Sequence, residues 1–133
     1  MALLEVRDLH VHIGAVPILR GVSFSVEKGQ ALGLVGESGC GKSMLGLTLM
    51  GMLPPGGRIP SGTILLEGKP IESLSPREML AIRGSELAMV MQDPFTSLNP
   101  VMRVQDQIAE AMVLHQDLSW TFARERAVEI LGH

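Results

Sequence analysis

Val22-Ser23-Phe24-Ser25-Val26 alternates apolar and polar residues at period two, the pattern of a strand with one buried face. Leu3–His12 carries strand-like apolar positions before it, and Lys28-Gly29 reads as a turn after it. Ala31-Leu32-Gly33-Leu34-Val35 is a continuous apolar run, which predicts a fully buried parallel strand. That run ends at Gly36, and a helix is expected from about Lys42 to Leu53.

Further along, Gly56–Ser61 reads as a Pro/Gly loop and Thr63-Ile64-Leu65-Leu66 as a short strand closed by Glu67-Gly68. Ser75-Pro76-Arg77-Glu78 is a helix start: Ser75 can cap, Pro76 fits the first helical position, and Glu78 can complete a capping box. Leu87-Ala88-Met89-Val90-Met91 predicts another buried strand, ended by Asp93-Pro94. The last third is helical by period. Val104, Ile108, Ala111, Met112 and His115 share one face, and Trp120, Ala123, Ala127, Ile130 and Leu131 share another. Strands alternating with helices predict an α/β layer fold with a partly parallel sheet.

Composition narrows the classes. The 133 residues suit one domain, with 46% hydrophobic and 19% charged residues and a mean hydropathy of +0.28, which excludes intrinsic disorder. A net charge of −3 argues against a basic nucleic-acid binder, and 3% aromatics against a base-stacking surface. The single cysteine, Cys40, excludes a disulfide framework or multi-cysteine zinc site and fits a reducing compartment. The most apolar stretch, Met44–Leu53, is about half of a bilayer span. The polypeptide is therefore expected to be soluble or to sit on a membrane through a partner.

One motif carries most of the chemistry. Residues 36–43 read GESGCGKS, matching G-x-x-x-x-G-K-S/T between an apolar run and a helical segment. Gly36, Gly39 and Gly41 allow the backbone to curl so that successive N–H groups point inward at a helix N-terminus and bind phosphate oxygens. Lys42 brings charge to the β- and γ-phosphates, and the Ser43 hydroxyl can ligate Mg²⁺. Cys40 is either a small tolerated residue of this loop or a thiol whose alkylation blocks nucleotide binding.

The segment Met91-Gln92-Asp93-Pro94 leaves three readings open from the residues alone. Asp93 could hold Mg²⁺ through water, Gln92 could touch Mg²⁺ or the attacking water, or Asp93-Pro94 could simply end a strand in a turn.

The sequence resembles the N-terminal part of an ABC transporter ATPase, and is similar to the ATP-binding subunits of bacterial dipeptide/oligopeptide and related nickel permeases. The resemblance covers essentially the whole chain. It is carried by residues 19–26 (LRGVSFSV), Ala31 through Ser43, residues 50–56 (MGMLPPG), residues 61–68 (SGTILLEG) and above all residues 91–100 (MQDPFTSLNP). The fold it implies is the N-terminal part of an α/β P-loop NTPase, with an antiparallel β subdomain, a P-loop strand-helix core and the start of a helical subdomain. Residues 1–91 would form the β subdomain and P-loop core, and residues 92–133 the Q-loop and start of the helical subdomain.

The resemblance implies roles residue by residue. Gly36, Glu37, Ser38, Gly39, Cys40, Gly41, Lys42 and Ser43 form the Walker A loop, which with Met44, Gln92 and Ile13 binds ATP. Ser43 and Gln92 serve Mg²⁺, and Lys42 stabilises transition-state charge. Gln92 is the Q-loop glutamine, joining the metal site to the membrane-subunit interface, so Asp93 is not the metal-binding acid. Ile13 stands where the family usually places an adenine-stacking aromatic, and isoleucine packs without stacking; His12 is the substitute otherwise available.

The signature sequence, the Walker B strand with its catalytic Glu, and the switch histidine find no counterpart in these residues. His115 and His133 are read as helix-face and terminal residues. The 133 residues are expected to be a piece of a nucleotide-binding domain that binds nucleotide with negligible hydrolysis and exposes apolar surface. The implied function is an ATPase subunit powering peptide, nickel or other solute import. Its implied partners are integral membrane permease subunits and a second ATPase subunit, at the cytoplasmic face of the bacterial plasma membrane, without nucleic acid or direct cargo contact. The alternatives are a non-catalytic nucleotide-binding interaction module and a non-transport ABC ATPase acting on DNA.

Overall fold

Two long strands occupy most of the first 26 residues of the computed structural model, which describes residues 1–93 and 95–133. β1 (Leu4–Ile13) and β2 (Val16–Val26) pair antiparallel, from Leu4↔Val26 to Ile13↔Val16. The two-residue turn between them opens with Gly14 at φ +58°, a conformation glycine adopts without strain. β3 (Gly57–Leu66) pairs antiparallel with the other edge of β1, and β4 (Lys69–Pro70) folds back on the end of β3. Among the described residues the sheet order is β2-β1-β3-β4.

The alternation read at 22–26 is seen as such: Val22, Phe24 and Val26 are half-buried, and Ser23 and Ser25 are exposed. The pairing slips on both sides of β1 near Asp8, which sits at φ +44°. Here Gly62 of β3, at φ +103°, passes so close that a Cβ would lie 2.5 Å from the Asp8 carbonyl oxygen. Only glycine fits that crossing. The buried side chains of the unit include Val6, Leu9 and Val11 of β1, Leu19 of β2, and Ile64 and Leu66 of β3. Each such side chain stabilises the fold by about 1.5–3 kcal/mol through removal from water.

α1 (Lys42–Leu49) contributes buried Leu45 and Thr48. It stops four residues before the expected Leu53. Gly51, at φ +62°, ends it in a Schellman arrangement, with the Met52 N–H on the Leu47 carbonyl (2.8 Å) and the Gly51 N–H on the Thr48 carbonyl (3.0 Å). The expected Pro/Gly loop at 56–61 is instead mostly the first half of β3. Over that stretch, among the described residues, β3 pairs with β1 on one side only, so Pro60 is tolerated. α2 (Pro76–Ile82) starts on the capping box read from sequence: Ser75 N–H donates to Glu78 Oε2 (2.7 Å) and Glu78 N–H to Ser75 Oγ (3.3 Å).

The chain divides into two compact units, Met1–Leu80 and Ala81–His133. In the second, α3 (Val104–Gln116) and α4 (Trp120–Leu131) pack through buried Ala109, Met112, Ala123 and Ala127, flanked by Ile108, Val113 and Leu118. Arg124 Nε meets Asp106 Oδ1 at 2.6 Å, and its guanidinium lies 5.4 Å from the centre of the Trp120 ring.

Further expectations are corrected. Ala31–Val35 is not a strand; it is exposed, Val35 at 96%. Leu87–Met91 keeps only a single parallel bridge, Leu87 to Arg83, and Val90 is 97% exposed. The strands of the sheet all pair antiparallel. A buried parallel strand needs a hydrogen-bonding neighbour, and among the described residues neither run has a strand beside it. In the helices, the buried faces are narrower than the period suggested. Val104 and Ala111 of α3, and Trp120, Ile130 and Leu131 of α4, are exposed, because alanines bring the helices together along one seam.

Candidate functional site

The glycine-rich loop is anchored at its base by a close approach to β2. Gly41, the N-cap of α1, has φ +100°, and a Cβ there would lie 2.7 Å from Leu19 Cδ2 and 3.5 Å from the Ile18 carbonyl oxygen. Leu19 is buried, so this floor does not move aside at low cost. Further up the loop, the Cys40 N–H closes a turn on the Glu37 carbonyl at 3.2 Å, with Gly39 at φ +83°. Ser38 lies within that turn.

The N-terminus of α1 is left free for an anion. The Leu45 N–H bonds the Gly41 carbonyl at 2.9 Å, the first bond inside the helix. The N–H groups of Lys42, Ser43 and Met44 therefore have no intrahelical acceptor. Neither a side-chain cap nor an acidic residue occupies the first turn, so the helix's own first-turn side chains do not neutralise the positive end of its dipole.

Lys42 closes over the same spot. Its ammonium donates to the carbonyls of Gly36 and Glu37, the latter at 2.9 Å, and lies 3.4 Å from Cys40 Sγ. A Cβ on Gly36 would meet Cys40 Sγ at 2.6 Å, so a side chain there would fill the loop. Lys42 and Ser43 are exposed, and Met44 is half-buried with its carbonyl accepting the Thr48 hydroxyl at 2.7 Å. Backbone donors, an ammonium and a hydroxyl at one helix end are the donor set that a polyphosphate with Mg²⁺ requires. The residues fit the group.

The remaining expected binding residues are Ile13 and Gln92. Ile13 ends β1, half-buried, paired with Val16 and Gly57. It shares a sheet face with Val11, whereas His12 turns the other way, where its Nδ1 stands 3.4 Å from Arg58 Nη2. His12 is thus not on Ile13's face. Gln92 is exposed and belongs to the second unit. Asp93 acts as a turn former: Oδ1 accepts the Phe95 N–H (2.9 Å) and its carbonyl accepts the Ser97 hydroxyl (2.8 Å). Pro94, part of the expected turn, lies outside the described residues. Sequence reasoning missed Leu19 as the floor under Gly41, because that contact joins residues 22 positions apart and leaves no local pattern.

Among the described residues no helix is long and apolar enough to cross a membrane. Compared with known proteins, the chain is 46% identical over 134 aligned residues to the oligopeptide transport ATP-binding protein OppD of Bacillus subtilis, covering 97% of this chain and 37% of that protein. It is 42% identical to the dipeptide transport ATP-binding protein DppD of the same organism, covering 97% of this chain and 40% of that one. The chain thus spans about two fifths of the length of these curated relatives. Among solved structures, the ADP conformation of MJ1267, an ATP-binding cassette of an ABC transporter, matches with a TM-score of 0.53 at 30% identity, over 63% of this chain and 33% of that one. The sequence profile of the family described as ABC transporter matches residues 19–133, and the chain belongs to that family.

Proposed function

We propose that these residues form the nucleotide-binding part of an ATPase subunit that drives import of short peptides or a related solute through a membrane permease. The observation that carries this reading is the joining, in one loop, of Lys42, the first-turn N–H donors of α1 and the glycines that let them converge. The relatives named for oligopeptide and dipeptide transport supply the cargo class.

The loop residues Gly36–Ser43, with the Met44 N–H, hold the β- and γ-phosphates of ATP, and Lys42 offsets their charge. The Ser43 hydroxyl and the Gln92 amide would hold Mg²⁺, which would supply neutralisation of the charge on the phosphates. Ile13 packs against the adenine by apolar contact. Residues from Asp93 onward, with α3 and α4, face the permease, while a second ATPase subunit closes over the nucleotide from the other side. The subunit is peripheral, on the cytoplasmic face of the membrane, and touches neither cargo nor nucleic acid.

Residues 1–133 alone bind nucleotide without appreciable turnover. Titration calorimetry with Mg-ATP on the purified chain, alongside a phosphate-release assay, tests both halves. Saturable binding with no release above the no-enzyme rate is expected. Absence of binding overturns the nucleotide reading, and Mg²⁺-dependent release lost in Lys42→Ala overturns the claim of inactivity.

A further inference from the structure

Helix α3 begins without a side-chain cap, its N-cap residue being Arg103. Its first turn is tied backward instead by Gln107. The Gln107 amide donates from Nε2 to the Asn99 carbonyl at 2.9 Å and to the Met102 carbonyl at 3.1 Å, and its Oε1 accepts the Asn99 N–H at 2.8 Å. Asn99 extends the arrangement locally, with Oδ1 accepting the Val101 N–H at 3.1 Å. One side chain thereby satisfies three backbone groups of a segment that lies outside any strand or helix. The chemistry is selective. A primary amide presents donors at one end and an acceptor at the other, a carboxylate presents no donor, and a thioether of equal length presents neither in useful strength.

The braced segment carries apolar side chains into solvent. Val101 is 88% exposed, Leu98 and Met102 about half so. Apolar side chains on a backbone without regular structure ordinarily lose any fixed arrangement, and the three Gln107 hydrogen bonds tie down the backbone that carries these.

We propose that Gln107 is a positioning residue: it holds the Asn99–Met102 segment rigidly on α3, so that Leu98, Val101 and Met102 are presented in one arrangement to the membrane subunit. The functional half of this inference rests on the transporter reading, which assigns the residues beyond Gln92 to the permease. The brace itself does not depend on it.

Amide hydrogen exchange on the full chain tests the brace, with Gln107→Met, which keeps the volume, and Gln107→Glu. Protection of the Asn99 amide is expected to fall about tenfold in Gln107→Met, the effect of losing one net hydrogen bond, with α4 amides and Mg-ATP affinity unchanged. In Gln107→Glu the carboxylate faces two carbonyls at neutral pH and protection falls too. Below about pH 4 the protonated carboxyl donates one bond again, so protection recovers there in Gln107→Glu and not in Gln107→Met. A role in volume alone would not separate the two variants by pH. In the assembled transporter, both variants at neutral pH are expected to keep the KM for ATP and lose permease-coupled turnover by about tenfold. Unchanged exchange at Asn99, or loss of protection spread over both units, overturns the brace. A lost brace with unchanged coupled turnover overturns the positioning role. Failure of the unmodified chain to bind Mg-ATP strikes the transporter reading, and the positioning role with it, while the exchange result at Asn99 still decides the brace.

Discussion

Lys42 Nζ lies 2.9 Å from the Glu37 carbonyl oxygen and also donates to the carbonyl of Gly36, so the lysine spans the mouth of its own loop. An ammonium has three donors and no acceptor, and phosphate oxygens are stronger acceptors for it than carbonyls. On the proposed function, nucleotide would compete with these carbonyls for the Lys42 ammonium, with little reorganisation to offset. Lys42→Ala is expected to weaken Mg-ATP binding about 10- to 100-fold, the range for losing a hydrogen bond to a charged group. Because the lysine is exposed, the melting temperature should barely change. Calorimetric titration and thermal melting measure the two, and retained affinity would refute the assignment of Lys42.

Gly41 is constrained twice, by φ +100° and by Leu19 Cδ2 at 2.7 Å from where a Cβ would sit. Left-handed backbone costs a non-glycine residue about 1–2 kcal/mol, before the clash is counted. Gly41→Ala should lower the unfolding free energy by more than that strain and weaken nucleotide binding together. The clash is separable from the strain. In a Leu19→Ala background the same substitution should cost less, giving a positive coupling in a double-mutant cycle from denaturant melts. Strict additivity would show that the floor under the loop is not Leu19.

What the sequence revealed divides by range. The capping box at Ser75 and Glu78, the alternation of 22–26 and the glycine-rich turn leading into a helix at Lys42 are local patterns, each decided by residues within a few positions of one another, and each is present in the structure. Ala31–Val35 and Leu87–Met91 misled because an apolar run states only that a segment can be buried. Whether it becomes a strand depends on a neighbour from elsewhere in the chain. The slip at Asp8, which requires Gly62, is non-local in the same way, while the Gln107 brace spans only eight positions but follows no periodic pattern. The helices α3 and α4 were legible by period, yet the face that packs was set by where the small alanines fall, which period alone does not rank.

Cys40 gives the loop a chemical handle. Its thiol is exposed, lies 3.4 Å from the Lys42 ammonium, and occupies the space that any side chain on Gly36 would need. A maleimide added there places a bulky ring where the lysine and a phosphate must meet. Alkylation is expected to abolish Mg-ATP binding, Mg-ATP is expected to slow the alkylation, and Cys40→Ser should bind nucleotide and resist the reagent. Labelling at the same rate with and without saturating Mg-ATP, followed by mass spectrometry, would show that the thiol lies outside the nucleotide's footprint.

The start of α2 responds to pH through Glu78. The Ser75 N–H bonds its carboxylate at 2.7 Å and, with the Ser75 hydroxyl, holds the group below its ordinary value of 4.5. A carboxylate with a depressed folded value binds fewer protons folded than unfolded, so its contribution is complete above 4.5 and is lost as pH falls through the depressed value. The group is exposed, so the effect is local to the helix start and weakens in salt. Amide protection of Met79, whose N–H bonds the Ser75 carbonyl at 3.0 Å, should therefore decline on acidification below the ordinary carboxylate range. Glu78→Gln, which can still accept from the Ser75 N–H but does not titrate, should flatten that decline, and Ser75→Ala should lower protection at all pH values by the equivalent of about 0.5–2 kcal/mol. An NMR titration placing the Glu78 midpoint at or above 4.5 would contradict the cap as the source of the pH dependence.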